Sequence, residues 1–157
     1  MRFNFTRGSK VEVLNKGKVP LGSWRCAEII SGNGHNYSVR YNHYLPEMGS
    51  TVERVTRKDI RPCPPPMVGS RSWVPGDIVE VLEDGCWVPA QVSKVVEEGN
   101  YFLVRLLGPS REFVAQRSNL RLRQSWKDNT WAVIEKVILS YSSLQYPFPF
   151  SSLDGCL

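Results

Sequence analysis

The sequence predicts an all-β protein: two tandem small antiparallel β-barrels followed by an irregular C-terminal tail. Three observations predict it. First, one motif occurs twice. Gly8-Ser9-Lys10-Val11-Glu12-Val13-Leu14 is followed by Gly22-Ser23-Trp24-Arg25-Cys26-Ala27, and Gly76-Asp77-Ile78-Val79-Glu80-Val81-Leu82 is followed by Gly85-Cys86-Trp87-Val88-Pro89-Ala90. Second, the offset between equivalent positions drifts, from 68 residues at Gly8 and Gly76 to 63 at Trp24 and Trp87 and 60 at Arg61 and Arg121. Loops that change length between conserved strands produce such a drift. Third, short apolar-alternating segments are separated by glycine turns, and no helical period intervenes.

Taken in order, the first strand ends at Leu14, with Val11 and Val13 alternating against Lys10, Glu12 and Leu14. Residues 15–22, with Lys16, Lys18 and Pro20, read as a loop. A second strand over 24–31 puts Arg25, Ala27 and Ile29 on one face and Trp24, Cys26 and Glu28 on the other. Gly32-Asn33-Gly34 is a hairpin turn, which needs positive φ at its tip. The third strand, 36–41, carries Tyr37, Val39 and Tyr41 in phase. A polar loop over 42–50, a fourth strand over 51–57 and a short fifth strand or 3₁₀ turn over 58–62 complete the unit.

Pro62 and Pro64 to Pro66 begin an extended connector over 63–73. The second unit repeats the order, with strands over 77–82, 87–96, 101–107, 111–116 and 119–123. The first unit thus spans 3–62 and the second 74–123. Units of this size are near the lower limit for independent folding, so the two are expected to pack on each other. The segment 124–157 is expected to be largely without packed structure. Residues 126–132 are placed to cover the barrel junction, and 138–157 are expected to lie outside the evolved fold.

Charge is uneven. Residues 1–62 hold 11 Lys and Arg against 5 Asp and Glu, whereas 63–124 hold 7 of each. The four cysteines form no C-x-x-C pair and there are two histidines, so no metal site is expected and the cysteines read as free thiols. No apolar run is long enough for a membrane span. No phosphate-binding glycine loop or nucleophile–histidine signature appears, so the sequence points to binding rather than catalysis, without a cofactor.

The run Gly-Ser/Asp-x-Val-Glu-Val-Leu, then Gly-x-Trp-x-x-Ala, Val-Arg and Ile/Leu-Arg resembles the plant Agenet, or plant Tudor-like, domain of the Royal superfamily. The resemblance covers 5–62 and 74–123. It implies small barrels that bind methylated lysine or arginine in an aromatic cage, a histone tail as partner with H3 favoured, a nuclear location and a monomeric chain. RNA or DNA binding by the basic first repeat is the alternative that it implies.

A methylated ammonium keeps its charge but is weakly hydrated, so aromatic faces and a nearby carboxylate hold it. The resemblance places a cage pair at Tyr41 and Tyr44, the Tyr-x-x-Tyr after the third strand. In the second unit Leu106 stands opposite Tyr41. Where Tudor barrels carry another cage aromatic, this chain has Arg25 and Val88. Trp24 and Trp87 lie one residue earlier, facing away, either to build a junction cage or to serve the fold. Glu53 is the candidate cage acid, and the turns bearing Glu83, Asp84, Glu97 and Glu98 are candidate contacts for a basic tail. For nucleic acid, the candidates are Lys10, Lys16, Lys18, Arg25, Arg40, Arg54, Arg57 and Lys58.

Overall fold

Five strands form in each unit because β-branched residues alternate with polar ones between tight turns. In the first unit these are β1 (Lys10–Asn15), β2 (Ser23–Gly32), β3 (Asn36–Asn42), β4 (Ser50–Thr56) and β5 (Ile60–Pro62). In the second they are β6 (Ile78–Glu83), β7 (Cys86–Val96), β8 (Tyr101–Leu106), β9 (Glu112–Gln116) and β10 (Leu120–Leu122). This computed structural model describes residues 4–17, 21–42, 46–66 and 72–135. Lys18, Tyr44 and the 138–157 tail lie outside the described residues.

Each unit pairs its strands antiparallel, β5-β1-β2-β3-β4 and β10-β6-β7-β8-β9. The register of β2 on β3 shifts between Ile29 and Ser31, and that of β7 on β8 between Val92 and Lys94. These equivalent bulges bend the longest strand of each unit and curl the sheet. A 3₁₀ turn, Arg57–Asp59 or Arg117–Asn119, then leads into the fifth strand. The loop-or-strand ambiguity of 58–62 resolves into both elements.

The two units share one sheet. β2 and β7 pair antiparallel across the junction, with Trp24 opposite Trp87 and Arg25 opposite Cys86, giving ten continuous strands. Each unit keeps its own core: Val11, Val13, Ala27, Ile29, Tyr37 and Val39 in the first, and Val79, Val81, Ala90, Val92, Phe102 and Val104 in the second. Trp73, assigned to the connector from sequence, is instead 7% exposed in the second core. It occupies the place that Phe5, 68 residues earlier, takes against the first.

The largest departure from expectation lies after the repeats. Gln124–Lys127 (β11) and Thr130–Val133 (β12) form a hairpin rather than an unpacked segment. Its tip takes Asp128 at φ 51° and Asn129 at φ 59°, the left-handed pair that a two-residue hairpin turn requires and that Asp and Asn tolerate best. Trp126 and Trp131 face each other across it with ring centroids 5.2 Å apart. Two alternating residues on either side of the tip are too few for the sequence pattern to reveal a strand.

Candidate functional site

The outer faces of β1 and β6 carry Glu12 and Glu80, which alternation alone would leave in water. Because the units share a sheet, both are buried, at 2% and 1% exposure. Two arginines, each the cross-strand partner of one glutamate, meet them: Arg61 opposite Glu12 and Arg121 opposite Glu80. Arg61 Nε donates to Glu12 at 2.9 Å, and Arg121 Nε donates to Glu80 at 3.0 Å. Arg121 also crosses the junction to Glu12, with Nη1 at 2.7 Å and Nη2 at 3.1 Å. Burial pushes the Glu80 carboxyl above its ordinary range, opposed by Arg121 and Arg61; burial likewise lowers the Arg61 guanidinium, opposed by Glu12 and Glu80.

Trp24 and Trp87 belong to this cluster. The Arg61 guanidinium lies 3.8 Å from the Trp24 ring centroid, and that of Arg121 lies 4.2 Å from Trp87. Trp131 of the hairpin approaches Arg61 at 5.0 Å, and Arg61 Nη1 donates to the Gln124 carbonyl at 2.8 Å. Each tryptophan ring thus lies against one of the protein's own arginines, and neither lines the cleft that holds Tyr41.

That cleft, about 480 Å³, opens at the mouth of the first barrel between the end of β1 and β4. Tyr41, Arg25, Glu53, Arg54, Lys16 and Asp59 are among its lining residues. Tyr41 is not an exposed strand-end aromatic: it is 4% exposed and packs in the first core, in phase with Tyr37 and Val39. The Arg25 guanidinium covers its ring at 4.2 Å. Burial, and then its hydrogen bond to Glu53, hold the Tyr41 phenol above its ordinary range, so the hydroxyl stays protonated and donates to that carboxylate. Tyr41 is the one aromatic among the described lining residues. The second unit has no equivalent, since Val88 and Leu106 fill those positions as buried core residues.

The four acidic candidates do not converge. Glu83 and Asp84 sit at the end of β6 and in the turn before β7, and Glu97 and Glu98 follow β7, so the length of that 11-residue strand, at most about 36 Å at about 3.3 Å per residue, lies between the two pairs. Glu83 is ion-paired with Arg111. Among the basic candidates, Lys10 pairs with Glu28 at 3.1 Å and Lys16 with Asp59 at 3.0 Å. Arg40 is exposed on β3 opposite Glu28, and Arg54 lines the Tyr41 cleft. Arg57 and Lys58 lie on the far side of the 3₁₀ turn, facing the hairpin.

Two groupings that the sequence pattern does not reveal are Glu12, Arg61, Glu80 and Arg121 as a joined cluster, and Cys26 with Cys63. The first had a signal: charges of opposite sign recur at equivalent positions in both copies. In the second, the Cys63 thiol hydrogen-bonds Cys26 and lowers its pKa to about 6, while Cys63 is raised. Cys26, Cys63 and Cys86 are free thiols.

Two small curled β-units, each with its own core and fused through one sheet, define a tandem of Tudor-like barrels. The Agenet domain model matches the chain over residues 8–65 and 76–125, and the chain belongs to the Agenet family. The structure is similar to the Arabidopsis thaliana AGDP1 AGD34 crystal structure, with a TM-score of 0.73 and 21% identity over 83% of this chain and 90% of that one. It is also similar to tandem Agenet domain 3-4 of ADCP1, with a TM-score of 0.69 and 21% identity over 83% of this chain and 88% of that one. No curated protein matches the chain by sequence. Tandem Agenet domains are binding modules of the chromatin-reader type.

Proposed function

We propose that this protein is a chromatin-associated, nuclear reader, monomeric and without catalytic activity, that binds a histone tail, H3 favoured. The methylated side chain enters the first-barrel cleft. The observation that carries this reading is the placement of Arg25: a guanidinium rests 4.2 Å from the Tyr41 ring, and that ring is fixed by its hydroxyl on Glu53. The ring thus already holds a cation, in a cleft that a carboxylate also lines. A methyl-ammonium, which needs an aromatic face and negative charge but few hydrogen bonds, suits the same place once Arg25 swings away. Tyr44 belongs to the proposed cage as the second aromatic. Trp24 and Trp87 do not, since their rings hold Arg61 and Arg121.

Calorimetry with H3-tail peptides, methylated and unmethylated, tests this. Methylated peptide is expected to bind the native protein more tightly, and Glu53→Gln, a change at an exposed position, to remove most of that preference. Equal affinity for both peptides, or an unaltered preference in Glu53→Gln, would refute the cleft as the methyl-cation site. Nucleic-acid binding spread over the first repeat is less well supported, because Lys10 and Lys16 are already paired with Glu28 and Asp59.

A further inference from the structure

Cys26 and Cys63 lie on the outer surface of the first barrel, on strands that flank β1. Glu12 of β1 stands opposite Cys26 of β2 on one side and Arg61 of β5 on the other, and cross-strand partners share a face. Cys63 is the first residue past β5, two beyond Arg61 and beyond the last rung of the pairing with β1. Both are exposed free thiols, and they meet: Cys63 hydrogen-bonds Cys26. The second barrel lacks the pair. Pro89 stands opposite Glu80 where Cys26 stands opposite Glu12, and Arg123 follows β10 where Cys63 follows β5. A unit of this design therefore folds without either thiol. The surroundings favour chemistry at one sulfur. The hydrogen bond from Cys63, helped by Lys10 and Arg121 and opposed by burial and Glu12, lowers the Cys26 pKa to about 6, while Cys63 is held protonated beside it. A thiolate next to a protonated thiol is the arrangement of a nucleophilic and a resolving cysteine.

We propose that Cys26 and Cys63 are a redox pair that hydrogen peroxide converts into a disulfide, strapping the end of β5 to β2 across β1. The Cys26 thiolate attacks one peroxide oxygen. The O–O bond breaks, hydroxide leaves and takes up a proton as water, and Cys26 becomes a sulfenic acid. The negative charge that kept Cys63 protonated is then gone. The Cys63 sulfur attacks the Cys26 sulfur, the S–S bond forms as the S–O bond breaks, and the released hydroxide leaves with the Cys63 proton as water. Two thiols have lost two electrons, and one peroxide has become two waters. A thiol reductant reverses the step, so in a reducing compartment the strap is transient. Cys26 adjoins Trp24 and Arg25, the residues through which β2 pairs with β7, so the strap is tied to the strand that joins the barrels. It does not depend on which ligand the Tyr41 cleft takes.

Treating the reduced full chain with hydrogen peroxide, followed by mass spectrometry, tests the proposal. The expected result is an intact mass lower by two hydrogens, a Cys26–Cys63 linked peptide after proteolysis, Cys86 and Cys156 still open to alkylation, and full reversal by dithiothreitol. The rate should fall about tenfold from about pH 7 to about pH 5, as the thiolate is protonated. The oxidised protein should unfold at a higher urea concentration than the reduced one, because the bond restrains the unfolded chain. Cys63→Ser keeps a hydroxyl donor but removes the resolving sulfur. It should stop at a Cys26 sulfenic acid, trapped by dimedone, with no rise in urea midpoint. Cys26→Ser should leave Cys63 a thiol under the same treatment. Both positions are exposed, so circular dichroism of the two variants should match that of the native protein. Links from either cysteine to Cys86, Cys156 or another chain in place of the Cys26–Cys63 bond would overturn the proposal. So would oxidation of native Cys26 to a sulfinic acid with Cys63 still a thiol, or an unchanged urea midpoint in the disulfide form.

Discussion

Glu12 and Arg121 are 109 residues apart in sequence, yet the Arg121 guanidinium donates to the Glu12 carboxylate at 2.7 Å. Each arginine of the junction cluster thus answers two glutamates, one from its own barrel and one from the other. Such a cluster does little for stability when compared with a well-packed apolar replacement, but breaking it is costly, because the surviving charges stay buried. Glu12→Gln leaves Arg61 and Arg121 with Glu80 alone and is expected to cost about 3–5 kcal/mol. Lys10→Ala, which removes the exposed pair with Glu28, is expected to cost about 1 kcal/mol or less. Urea unfolding of the two variants checks this, and similar midpoints would show that the cluster is not the junction's fastening.

Arg25 should compete with ligand for the Tyr41 ring. Arg25→Ala removes the resident cation, and the affinity for a trimethyl-lysine peptide is expected to rise severalfold, in keeping with a cation–π contact of about 0.5–2 kcal/mol. Calorimetry reads this directly. A fall in affinity would mean that Arg25 contacts the ligand rather than holding its place.

Cys26 should react as a thiolate at unusually low pH. Its pKa is lowered to about 6 by the hydrogen bond from Cys63, so the thiolate predominates above that pH and is lost as pH falls through it. Iodoacetamide labelling followed by peptide mass mapping should give a rate profile rising through about pH 6 at Cys26, against about 8.5 for an ordinary thiol. Cys63→Ala removes the donor and should shift the profile upward. A native profile rising only near the ordinary value would contradict the pairing.

Trp131 should matter to the barrel from which it is more distant in sequence. Trp131→Ala uncovers Arg61 and removes the Trp126 contact, so amide protection should fall first in β5 and β1. Hydrogen exchange with strand-level resolution checks this, and loss confined to β8 and β9 would reverse the assignment.

Much of the fold is legible in the sequence because a duplicated unit states its own boundaries: Gly8 and Gly76 open the units, and Arg61 and Arg121 close them. The site is less legible. Glu12 looks like a solvated residue because period-2 alternation reports which face a side chain takes, not whether a second barrel covers that face. Tyr41 and Arg25 were placed on the inner face by their phase with Val39 and Ala27, yet their charge and aromaticity suggested ligand contacts in water. The two features meet at the barrel mouth, where an inward face is both buried and open. The hairpin escapes notice because it occurs once and is short.

The pairing of β2 with β7 changes what the proline-rich connector does. In most two-module proteins the linker sets the effective concentration of the second module near the first, and its length tunes avidity. Here the spacing between barrels is set by the β2–β7 pairing and by the crossed Glu12–Arg121 contact rather than by linker length. Lengthening the connector should therefore leave the reach of the tandem unaltered. The two barrels act as a fixed caliper, and a ligand that spans both must match one distance.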